Sequence, residues 1–231
     1  MLEALIDESK VSVRSGIGRL HIIINGMCQD ILQSMKNLGG DHAISVGTLE
    51  GDVGQLMFLL LRLVRCTVIS PFIARQLNLD ALDCLDCQTL IHRMGRIADH
   101  ATTIANSLIT LIGSKFNMPK TVKSTLIKSA ETAFATYDLA VQGYLSKDLA
   151  RVNGLIDNEK LIRKYYRERQ YYREITPLLN FNEIDESSLF HLITLRERIL
   201  RISHLTGDIA ELTIDCVYKS VENNSESSFS R

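Results

Sequence analysis

Apolar residues recur every three or four positions along almost the whole chain, and no stretch alternates with period two for long enough to make a sheet. In one segment Leu90, Met94, Ile97, Ala101, Ile104 and Leu108 fall on a single helical stripe. In another, Leu195, Ile199, Ile202, Ile209 and Leu212 do the same. Breaks are sparse: Gly39-Gly40-Asp41, Ser70-Pro71, Asn117-Met118-Pro119, Ser146-Lys147-Asp148 and Thr176-Pro177. Between them the pattern predicts six helices, near 10–38, 43–69, 80–114, 119–145, 148–176 and 186–221. At 1.5 Å per residue most would be about 40 Å long. Pro119 suits the first turn of a helix, and Ser146 to Asp148 reads as a turn followed by a cap. Connections this short place consecutive helices antiparallel.

Two segments repeat at an offset of 105 positions. The first is Arg93-Met94-Gly95-Arg96-Ile97, with Ile104-Ala105 following. The second is Arg198-Ile199-Leu200-Arg201-Ile202, with Ile209-Ala210 at the same distance. Pro71 and Pro177, 106 positions apart, report nearly the same period independently. A repeat of this length in a chain of 231 residues means two copies of one unit. The predicted class is therefore all-α, two tandem antiparallel three-helix bundles. The first takes residues 1–116 and the second 117–222, with a polar tail at 223–231 of disordered composition.

Composition narrows the function classes. The chain is 45% hydrophobic and 23% charged, with a formal net charge of −1, three prolines and no tryptophan. Near-neutral charge removes the simplest argument for nucleic-acid binding, which wants a basic domain. The most apolar run, Leu56 to Leu61, ends at Arg62, far short of the roughly 20 residues a membrane-spanning helix needs. Five cysteines, an odd number with no secretory segment ahead of them, fit reduced thiols in a cytoplasm. Cys84 and Cys87 form a lone CxxC without the second pair a zinc site needs, and read as small apolar residues near a helix start. There is no Gly-rich phosphate loop, no nucleophile elbow and no HExxH, so the chain is not read as an enzyme.

The stretch Gly95-Arg96-Ile97-Ala98-Asp99-His100-Ala101-Thr102-Thr103-Ile104-Ala105-Asn106 resembles the motif of the PhoU family of phosphate-uptake regulators. That motif runs Glu-Arg-Ile-Gly/Ala-Asp-His-Ala, then Asn-Ile-Ala-Glu, on the third helix of each bundle. The second copy, Leu200 to Glu211, keeps the frame and loses most of the motif. Tyr137-Asp138-Leu139-Ala140 through Lys147-Asp148-Leu149-Ala150 and Asp157 resembles the family's passage from a bundle's first helix to its second. Glu50-Gly51-Asp52-Val53 with Leu56 resembles the start of the second helix in the first half. The resemblance spans about residues 10 to 221. In some relatives a DNA-binding segment precedes such a domain. The residues before the first helix here are too few for one, which leaves a stand-alone member or a fragment.

The resemblance implies a cytoplasmic regulator, peripherally associated with a membrane transporter. It would dock as a homodimer on the ATPase or permease of a phosphate ABC transporter, and on a sensor kinase where one exists. PhoU-like bundles also serve as accessory dimerisation modules of cation transporters, or as the effector half of transcriptional regulators. The resemblance further implies divalent or iron-type metal at Glu-x-x-x-Asp, because acids at i and i+4 share one helical face. Here Gly95 replaces the first acid of one motif, and Leu200 and His204 replace both in the other. The remaining candidates are Asp99 and His100 with Glu50 and Asp52, and His204 and Asp208 with Asp157 and Glu159. So depleted a set predicts weak, mononuclear occupancy.

Two further features come from the residues themselves. Arg96 and Arg201 recur in register, and are expected to pair with acids on the neighbouring second helix, or else to face a partner. Residues 160–173 hold six basic residues, among them Arg163, Lys164, Arg167 and Arg169, with four of the seven tyrosines. They make a candidate basic-aromatic face for an acidic protein surface, the alternative being a solvated helix face over a partly buried tyrosine stripe.

Overall fold

The computed structural model describes residues 12–155 and 184–228. Helix α1, Val13–Asn37, starts at Ser12, whose hydroxyl accepts a hydrogen bond from the Ser15 amide, satisfying one of the unpaired first-turn donors. It ends at Leu38, which takes the left-handed conformation with φ 51°. Helix α2, Gly40–Ile69, begins three residues before the predicted start, with Asp41 in its first turn, where a carboxylate favours the positive end of the helix dipole.

Ser70 then caps two helices. Its amide donates to the Cys66 carbonyl at 2.9 Å, and its hydroxyl accepts from the Ile73 amide. Pro71 stands at the first helical position, where its missing donor costs nothing. The result is a short helix, α3, Pro71–Leu77, in a segment read from the sequence as a plain connection. Asn78 ends it in the left-handed region, and Asp80 and Asp83 cap each other reciprocally to open α4, Ala81–Gly113. Helix α5 is Lys120–Ser146, with Pro119 at its cap position. Lys147 reverses the chain with φ 56°, and Asp148 accepts from the Arg151 amide as residues 149–155 start α6. Helix α7, Glu186–Ser228, follows Asp185, which accepts from the Ser188 amide at 2.9 Å. It runs past Val221 into the polar segment expected to lack structure. No Gly or Pro lies between Val221 and Ser228 to stop it.

The 105-residue repeat reappears in space. Helices α1 and α5 are equivalents, as are α4 and α7, and each pair packs together antiparallel. Lys36 to Glu131 at 2.7 Å and His21 to Asp138 at 3.0 Å set the register of α1 on α5. Arg93 to Asp208 at 3.2 Å and Cys216 to Asp86 at 3.1 Å set that of α4 on α7. Helix α2 covers α1 and α4 of its own half, and α5 packs on α7. The predicted stripes face these contacts: every stripe residue of α4 is buried, and on α7 all but the half-buried Leu212 are. Both halves feed one continuous apolar cluster, from Ile17 and Leu20 through Met94 and Ile97 to Leu195 and Ile202. Among the described residues no helix is long and apolar enough to cross a membrane.

A shared core predicts shared stability. Ile202, on α7, is fully buried, and truncation of such a residue to Ala costs about 2–5 kcal/mol. Ile202→Ala is expected to shift a single urea transition to lower midpoint. Two transitions, only one of them moved, would mean that the halves unfold independently.

Candidate functional site

The repeated motif places its residues where α4 crosses α7. The first thing the crossing explains is Gly95. A Cβ at this position would run into the Met57 thioether of α2, so the space that a motif acid would use is filled by a methionine. Asp99, one turn further on, is exposed, as are Glu50 and Asp52 on α2. In the second half, His204 is half-buried and Asp208 holds Arg93. Asp157 and Glu159 lie outside the described residues, as do Arg163, Lys164, Arg167 and Arg169. Among the described residues no three His, Cys, Asp or Glu side chains stand together as a metal site. Met57 packed on Gly95 leaves Asp99 without the acid four residues before it that the implied metal site would use.

What the crossing assembles instead is positive charge around one imidazole. His100 is 8% exposed, and its Nε2 has no hydrogen-bond partner. Burial lowers its pKa to about 4, and the guanidiniums of Arg198, Arg96 and Arg201 add to that shift by opposing a further positive charge. Arg96 lies one turn before His100 on α4, and the register of the two helices puts Arg201 and Arg198 across from it on α7. Arg96 and Arg201 are exposed and Arg198 is half-buried. None of the three has an acidic partner among the described residues. The expected pairing of Arg96 with the neighbouring second helix is not formed among the described residues, and the second helix beside Arg201 lies largely outside them. Arg93, on the same motif helix as Arg96, bonds across the seam to the other copy. Arg198 was not singled out in the sequence, although it is the repeat-equivalent of Arg93.

A second polar centre lies between α1 and α5. Asp138 takes His21 at 3.0 Å and accepts from Gln142 at 2.9 Å, while the fully buried Tyr137 ring meets His21 edge-on with centroids 5.5 Å apart. Burial holds His21 below its ordinary pKa, although the Asp138 carboxylate pulls the other way. Cys84 and Cys87 are both buried near the start of α4. Burial pushes the Cys87 thiol up to about 11, so it stays protonated as a small apolar group. No described cysteine is in a disulfide.

Neutral buried histidines make stability pH-dependent with a defined sign. The unfolded chain protonates residue 100 near pH 6.5 and the folded chain only near 4, so stability is present above 6.5 and is lost as pH falls through that window. Removing the titration with His100→Gln should shrink the loss of unfolding free energy between pH 7 and pH 5 by up to about 2 kcal/mol. Urea midpoints at the two pH values measure this, and equal losses in both proteins would clear His100 of the effect.

No protein-family model matches the sequence, and no curated protein matches it. Among solved structures the chain is similar to PhoU from Pseudomonas aeruginosa, at 17% sequence identity and a TM-score of 0.71, over 90% of this chain and 96% of that one. Two copies of a three-helix unit, set together through their first and third helices and superimposable on that structure over nearly their whole length, identify the fold of this chain as PhoU-like.

Proposed function

We propose that the protein is a cytoplasmic regulator of phosphate uptake, which restrains a phosphate ABC transporter and its signalling by binding to them as a homodimer. The observation that carries this reading is the similarity over 90% of the chain to a structure titled PhoU. Its surface is in keeping with protein binding. Phe58 and Ile69 share one face of α2 with Arg62 and Arg65, and the Arg62 guanidinium lies 5.7 Å over the Phe58 ring. Leu59 and Val68 beside them and Phe72 on α3 are more than half exposed. An exposed apolar patch with a charged rim is what a partner surface requires. Control then follows from a binding equilibrium without chemistry. The protein favours whichever transporter state it binds more tightly, and shifts the population by that difference in affinity alone.

Tagged protein recovered from its native cells under excess phosphate should bring down a phosphate-transporter ATPase or permease, identified by mass spectrometry. Phe58→Asp with Ile69→Asp should weaken that recovery by about tenfold or more, the effect of losing buried apolar anchors, while the thermal midpoint stays near that of the wild type. Recovery of a cation transporter would replace this reading with an accessory dimerisation module. Recovery of DNA-bound proteins alone would replace it with the effector half of a transcriptional regulator.

A further inference from the structure

The approximate twofold symmetry of the seam is broken at one pair of positions. Arg93 of α4 and Arg198 of α7 occupy equivalent places in the two copies. Arg93 is met by the Asp208 carboxylate at 3.2 Å. The equivalent of Asp208 in the first copy is Thr103, whose hydroxyl donates to its own helix at the Asp99 carbonyl. One side of the seam therefore has an arginine with its carboxylate. The other has an arginine without one among the described residues, and near it lie Arg96, Arg201 and the unpartnered Nε2 of His100. All three guanidiniums act on His100 and none has an acidic partner among the described residues, a partner that a bound anion would supply.

We infer that Arg96, Arg198 and Arg201, with the buried His100, form a binding site for a phosphate group at the α4–α7 seam, on the side where Thr103 replaces an acid. A single guanidinium satisfies a carboxylate through one bidentate pair, whereas three forks match the several oxygens and double charge of phosphate. The imidazole is buried and neutral, with one ring nitrogen uncommitted. That nitrogen can donate to a phosphate oxygen or accept from a phosphate hydroxyl, depending on its tautomer. Asp99 is the carboxylate on the same helix adjoining His100; it is exposed and makes no ion pair with the three arginines. The site stands on the seam geometry and not on any transporter partner, so binding to the isolated protein and recovery of a transporter are separate results.

Inorganic phosphate titrated into the full-length protein at low ionic strength, followed by calorimetry and by the His100 imidazole resonances at fixed pH, tests this. Saturable binding that shifts His100 is expected, and Arg198→Gln or Arg201→Gln should each weaken it about tenfold or more, the worth of one charge-assisted bond. Arg75→Gln, at an exposed position on α3, should leave it unchanged. Arg201 is exposed and Arg198 half-buried, and circular dichroism would check that both variants fold. A nucleoside monophosphate binding more tightly than phosphate would support the site and assign the group to a nucleotide, whereas weaker binding would assign it to free phosphate. Three results would overturn the inference: no saturable binding up to about 10 mM, equal affinity in Arg198→Gln and wild type, or equal weakening by Arg75→Gln.

Discussion

The fold depends on one contact, the antiparallel packing of α4 on α7. Each helix packs along its apolar stripe on its own repeat, as well as on helices of its own half. The interface is therefore close to self-complementary, like that of a twofold dimer written into one chain. Ile97 and Ile202 are repeat-equivalents, and both are fully buried. With α1 against α5 on the adjoining side, four helices from two copies make one core, and α2 lies outside as a cover on its own half. At about 25 cal/mol per Å² of apolar surface, a stripe of this length is among the largest stabilising contributions in the molecule.

Self-complementary packing restricts how the copies can diverge. A change on the seam is met by the partner helix rather than by water, so it must be matched across the axis. Gly95 with Met57 is one such matched change within the first half, where the absence of a side chain and the reach of a flexible thioether fill one space. Asp208 with Arg93 is another, made across the halves. Thr103 is the change without a match, since its short hydroxyl turns back to its own helix and leaves Arg198 with no carboxylate among the described residues. The two copies thus share a backbone and differ in charge, and the chemistry of the seam lies in that difference.

Helices and stripes were legible because they are local. Period, proline and cap residues each act within a few positions, and predicted and observed ends agree within about three residues for α1, α2, α4 and α5. Helix α3 was not legible, because Ser70 looks like a single stop and only geometry reveals that it caps helices on both sides. At the site, the motif positions were readable and their partners were not. Arg93 and Asp208 are 115 positions apart, and their pairing is set by a helix register that no local pattern encodes. Arg198 could have been found by asking which residue of each copy has lost its counterpart, since the repeat offset alone pairs Asp208 with Thr103. The exposure of Phe58 was hidden for a different reason. The run Leu56 to Leu61 is apolar on all sides of α2, and the stripe that faces the core cannot be told from the one that does not.

That all-round apolar character is itself informative when set against the seam. Along α2, Val53, Leu60 and Val64 are buried while Phe58, Leu59, Val68 and Ile69 are exposed. A helix with one face to cover needs only the first set, and leaving the second in water gains nothing for folding. The seam and the outer face of α2 therefore answer to different demands. The apolar stripes of the seam are shared by both copies, and their buried residues hold the two halves together. The outer face of α2 carries large apolar groups beside Arg62 and Arg65 that this chain's own core does not cover. On the proposed reading a partner would be held there, against two halves joined by one core, and what changes on binding would be the partner's population of states.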